Sequence, residues 1–113
     1  MKLANLCILA LFLTAACAPI TTITPINSNT YEAKPDDCSI QVMTLMPAQR
    51  TFEELAILNS RQTEGEGGVA ELIQGLKITA CHLGADAILI KQTRESDPHS
   101  RASVTAVAIK FTN

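Results

Sequence analysis

The stretch Val69-Ala70-Glu71-Leu72-Ile73-Gln74-Gly75-Leu76-Lys77-Ile78-Thr79-Ala80-Cys81-His82-Leu83-Gly84-Ala85-Asp86-Ala87-Ile88-Leu89-Ile90 decides the fold. Val69, Leu72, Ile73, Leu76, Ala80 and Leu83 recur at helical spacing and make one apolar stripe, from which only Ile78 points clearly away. Gly84 can take the left-handed conformation that ends a helix. The period then changes to the alternation of a strand. A helix with a single apolar face, followed at once by a strand, predicts a helix lying on one face of a sheet.

Thr63 and Glu66 can form a capping box at the start of this helix. Downstream, 85–93 and 102–111 are both strand-like, with Ile88 and Ile90, then Val104, Val107 and Ile109. They are expected to pair as an antiparallel hairpin whose polar loop at 95–100 contains the turn signal Asp97-Pro98. Upstream, Ile40, Val42 and Thr44 alternate with Gln41, Met43 and Leu45 as far as Pro47, which predicts a strand over 39–46. The segment 51–58 is ambiguous, because Thr51 and Glu54 would also cap a helix. Strand is expected for 54–60 on the strength of the resemblance below. The expectation is a four-stranded antiparallel sheet in ββαββ order, an α+β fold with one helix packed on one face.

The beginning of the chain reads differently. Lys2 precedes an apolar run over 3–16 relieved only by Asn5 and Thr14, as in an export signal. That run would cover about 21 Å as a helix, short of the roughly 30 Å of a hydrocarbon core. Leu13-Thr14-Ala15-Ala16-Cys17 resembles a lipobox, with Thr14 at the place usually held by leucine. The resemblance implies cleavage before Cys17 and palmitate-type acyl chains on that cysteine, an anchor well past the two-chain requirement for stable membrane attachment. Ordinary secretion is the alternative, with Ala16-Cys17-Ala18 as an Ala-x-Ala site; Pro19 fits badly after that scissile bond, and a cut after Ala16 is also open. Ala18, where an aspartate often signals retention in the inner membrane, points to the outer membrane, with the domain facing the periplasm. Residues 1–16 are thus read as a signal peptide of the lipoprotein type, 17–37 as the lipidated cysteine and a flexible tether, and 38–113 as a small periplasmic domain. The tether is rich in Thr, Pro, Asn and Ser; an extra edge strand around 21–26 is the other reading of it.

Cys38 and Cys81 remain for the domain, and in an oxidising compartment such a pair points to a disulfide closing a loop of about 43 residues. A metal site would have to draw on Cys38, Cys81, His82 and His99, which lack ligand spacing. Asp36-Asp37 and Glu53-Glu54 sit in polar surroundings and read as solvated charge. No phosphate loop or nucleophile elbow occurs, and no enzyme activity and no cofactor are expected. A net charge of −2 and only three Phe, one Tyr and no Trp argue against nucleic acid as a partner.

Cys38-Ser39-Ile40-Gln41-Val42, then Pro47 and Phe52-Glu53-Glu54-Leu55, then Ala80-Cys81-His82-Leu83-Gly84-Ala85-Asp86-Ala87-Ile88 together resemble the Rcs envelope-stress sensor lipoproteins and, more loosely, the YbjQ-like domains. The resemblance implies an outer-membrane tether and a module engaging other envelope proteins. The Rcs sensor has four domain cysteines, whereas two are present here. The functional expectation is a membrane-anchored, non-catalytic envelope interaction or stress-sensing module. The alternative is a small metal- or ligand-binding module.

Overall fold

The structure, a computed structural model, describes residues 19–63 and 67–112. The expected signal peptide and lipobox with Cys17, and Glu66 of the expected capping box, lie outside the described residues. The helix, α1, runs Val69–His82. Leu72, Leu76 and Ala80 are buried along its stripe, and Ile78 is exposed. At its start the Glu71 carboxylate accepts the Gly68 N–H at 2.8 Å, so the helix begins at the glycine pair rather than from Thr63. At its end Gly84 has φ +74°, with Gly84 N–H donating to the Cys81 carbonyl and Ala85 N–H to that of Ala80, both at 3.0 Å. That pair of bonds is a Schellman cap.

The strands are β1 (Ile20–Pro25), β2 (Gln41–Met43), β3 (Phe52–Arg61), β4 (Ala87–Arg94) and β5 (Ser103–Phe111). They form one sheet in the order β1-β3-β5-β4-β2. The pairs β1/β3, β3/β5 and β4/β5 are antiparallel, while β2/β4 is parallel. This corrects the four-stranded antiparallel expectation: the sheet is five-stranded and mixed. The segment 54–60 is strand, within β3.

Both departures have a physical reason. The Cys38–Cys81 disulfide fixes the chain entering β2 at the C-terminal end of α1, with Cα atoms 5.9 Å apart. The Schellman cap starts β4 from that same end. Two strands that set out from one end of a sheet run parallel, and Gln41 duly pairs with Ala87. The other addition is β1, which lies in the segment read as tether and adds to the outer side of β3 from Ile20↔Arg61 to Pro25↔Ala56. Its Thr and Ile residues suit an exposed edge strand.

The main core lies between α1 and the sheet, where Leu58, Ile88 and Val104 meet Leu72 and Leu76. A smaller cluster of Ala87, Val107 and Ile109 with Met43, Phe52 and Phe111 occupies the face opposite α1. The connection 44–51 returns the chain to the disulfide end, with the Arg50 guanidinium 3.6 Å from the Phe111 ring centroid. Leu45 and Met46 on that connection remain exposed.

Candidate functional site

At the disulfide end, residues 26–38 form a strap from β1 to Cys38 across the cap of α1. Lys34 holds its middle: its N–H donates to the Cys81 carbonyl at 2.8 Å, and its ammonium donates to Ala85 O at 2.9 Å and Asp86 Oδ1 at 2.8 Å. Asp86 Oδ2 also accepts the Phe111 N–H at 2.9 Å. Burial alone would raise the Asp86 pKa, but the Lys34 bond, the Phe111 N–H and the charges of Lys34 and Lys110 together outweigh it and hold the carboxyl below its ordinary value. The Tyr31 hydroxyl donates to Glu53, which also accepts from Asn29. These two bonds, Tyr31 first, lower the Glu53 pKa, and the same contact raises that of Tyr31. The carboxyl groups with shifted titration at this end, Glu53 and Asp86, are stabilised as anions, which suits a clamp. A general acid working near neutrality needs the opposite shift.

The four candidate metal ligands are not brought together. Cys38 and Cys81 share a disulfide, so neither offers a thiolate. The His82 ring bonds Asp36 beside the disulfide. His99 sits in the β4–β5 turn at the other end of the sheet, where the Asp97 carboxylate accepts the N–H groups of His99 and Ser100 at 2.7 and 2.8 Å. Among the described residues no three His, Cys, Asp or Glu side chains are grouped to hold a metal. Of the carboxylate pairs, Asp36 and Glu53 have these structural partners.

Among the described residues no strand pairs with the outer edge of β1. Ile26 N–H donates to Leu55 O, and Gln62 N–H, one residue past β3, points the other way, to Ala102 O. With the observed register, residues 20, 22 and 24 therefore turn their backbone groups to β3, whereas Thr21 and Ile23 turn theirs outward. Pro25, which has no N–H, falls at an outward position, as an edge proline should. Ile20, Ile23 and Ile26 are 44–45% exposed, and no charged residue stands between Ile20 and Asn29. Nor is there an inward-pointing lysine of the kind that commonly blunts an edge.

The hairpin end is polar. Ile20 pairs with Arg61, Arg61 with Ser103, and Ser103 with Arg94, so one row crosses four strands. Arg61, Arg94, Arg101 and Ser103 line a cleft of about 580 Å³ together with Asn59 and Ser100. Sequence reasoning missed this cluster, because its members are far apart along the chain and only the sheet register collects them. The nearest available signal was an arginine at the end of each of two strand-like runs.

No family model matches the chain, and no curated protein matches it. A solved structure similar to it is that of a Francisella virulence factor, FvfA, in the orthorhombic crystal form, with a TM-score of 0.60 and 12% sequence identity. The match covers 80% of this chain and 97% of that one. At such an identity the likeness shows a shared fold.

Proposed function

We propose that this chain is a lipoprotein anchored through Cys17 in the outer membrane and facing the periplasm, and that its domain is a non-catalytic envelope interaction module that receives a strand of another envelope protein along β1. The open, uncharged edge of β1 carries the reading. Strand addition draws its affinity from backbone groups such as those of Thr21 and Ile23, and its specificity from side chains such as the exposed isoleucines. The lipobox supports the anchor, and the resemblance to the Rcs sensor supports an envelope role.

The start of β1 at Ile20 also bears on the geometry of attachment. Two residues, Ala18 and Pro19, separate Cys17 from β1. Three Cα steps reach at most about 11 Å, so the sheet would stand against the membrane instead of swinging on a long tether. Photocrosslinkers placed in cells at Thr21, Ile23 and Lys77 test the docking edge. The expected result is one identifiable envelope-protein adduct from the two β1 sites and none from Lys77 on α1. No adduct from β1, or one containing only a second copy of this chain, would overturn the proposed partner.

A further inference from the structure

Arg61, Arg94 and Arg101 come from β3, β4 and the β4–β5 connection, and the register places Arg61 and Arg94 on either side of Ser103. Two strand spacings separate their Cα atoms by roughly 9.5 Å, close enough for both long guanidinium groups to reach one group seated over Ser103. Like charges so placed repel one another, and none of the three arginines forms an ion pair with a described carboxylate. Of the acids nearby, Asp97 and Glu71 are occupied by backbone N–H groups, and Glu95, beside Gly68 at the start of α1, forms no ion pair with the arginines. Asp97 senses Arg94 only through its field. Glu64 and Glu66 lie outside the described residues. On a chain of net charge −2, this leaves a local concentration of donors that carry positive charge and present fork geometry, with hydroxyl donors from Ser103 and Ser100.

The geometry points to this cleft as a binding site for a phosphate group, held by Arg61 and Arg94 from either side of Ser103 and by Arg101 from the hairpin. Bidentate guanidinium contacts match the oxygen spacing of a phosphate, and the three positive charges exceed the two of a phosphate dianion and the one of a lipid phosphodiester. Two sources carry that chemistry, a free phosphate compound and a lipid headgroup. Position favours the headgroup, and this choice of source rests on the anchored reading above. Ile20 begins β1 in the same row as the arginines, so an acylated Cys17 would emerge at the arginine end of the sheet, about one strand spacing plus 11 Å from Arg61.

The test uses the full chain in maltoside micelles, which contain no phosphate, and follows the side-chain Nε–H signals of the arginines by NMR at constant ionic strength. Inorganic phosphate should shift Arg61, Arg94 and Arg101 in a saturable way, with a dissociation constant on the order of 1 mM. Arg61→Gln or Arg94→Gln should weaken binding about tenfold, while Lys77→Gln leaves it unchanged. Arg101→Gln, which lies outside the strands, gives the same reading should a strand variant fail to fold. In a second arm phosphatidylglycerol is added to the micelles. Shifts from both additives, or from the lipid alone, support the site with a headgroup as its source; shifts from inorganic phosphate alone support it with a soluble source. No shift from either additive, or equal affinity in all the arginine variants, would overturn the site. Neither arm needs acylated Cys17, so failure of the anchor, read separately from intact mass, leaves the phosphate site to stand or fall by itself.

Discussion

Gly84 is where the helix cap, the strap and the first residues leading to β4 meet. Its φ of +74° is a conformation that side chains strain, and a Cβ there would stand 2.7 Å from the Glu32 carbonyl oxygen and 2.8 Å from the Tyr31 Cβ. Gly84→Ala should therefore destabilise the domain by about 2 kcal/mol or more, measured as a lowered urea midpoint with unchanged slope. Asp86 lies two residues on and was legible only as part of a turn. Its partner Lys34 is 52 residues away, beyond the reach of any local pattern. Because the folded-state pKa of Asp86 is depressed, its contribution is present above the unfolded value of about 3.9 and is lost as pH falls through the folded value. Asp86→Asn should cost about 1 kcal/mol at neutral pH, a figure discounted for partial exposure, and should flatten the loss of stability on acidification below about pH 5. Glu53, Glu71 and Asp97 are shifted the same way, so part of that slope will remain. Parallel pH curves for the variant and the parent chain would show that Asp86 is not held as an anion by the strap.

The elements divide by how local their signals are. The helix, its cap at Gly84 and the β4/β5 hairpin were legible because each is specified by a continuous run and the turn that ends it. β2 was legible as a strand but not in its direction, since alternation of apolar residues is the same in parallel and antiparallel pairs. Its direction comes from the disulfide. With both sulfurs removed, as in the Cys38→Ala, Cys81→Ala pair, the loop-closure model gives a loss of about 4 kcal/mol, enough to leave a domain of this size largely unfolded by circular dichroism. β1 was legible only as one of two readings, an edge strand around 21–26 or part of the tether. Its Thr-rich, proline-terminated composition is shared by tethers and by edge strands, and pairing with β3 decides between them. The assignment of its backbone groups can be checked by proline. Thr22→Pro removes a donor facing β3 and should cost about 1–3 kcal/mol, whereas Thr21→Pro removes one facing outward and should cost less than about 1 kcal/mol while abolishing the β1 crosslink. Equal costs would mean that the edge faces the other way.

Across the whole molecule the sheet has two unlike ends. The disulfide end is a closed clamp of Lys34, Asp86 and the strap, while the hairpin end carries the arginine row and the start of β1. None of this polarity was legible beforehand, because it arises from register between residues 20, 61, 94 and 103. It makes an orientation testable if Cys17 is acylated. The ten residues of β3 span roughly 33 Å, so a chain tied to the bilayer beside Ile20 holds its hairpin end near the headgroups and, standing upright, its disulfide end well above them. A fluorophore attached through His99→Cys should be quenched strongly by spin-labelled lipid in vesicles bearing the acylated chain, and one attached through Asp37→Cys only weakly. Inserting twelve Gly/Ser residues between Pro19 and Ile20 adds a coil of about 20 Å and should reduce the His99 signal several-fold without changing the phosphate response of the arginines in micelles. Equal quenching at the two ends before insertion would mean that the chain stands on a flexible tether after all. Stronger quenching at position 37 would place the arginine row away from the membrane and leave a soluble phosphate compound as its ligand.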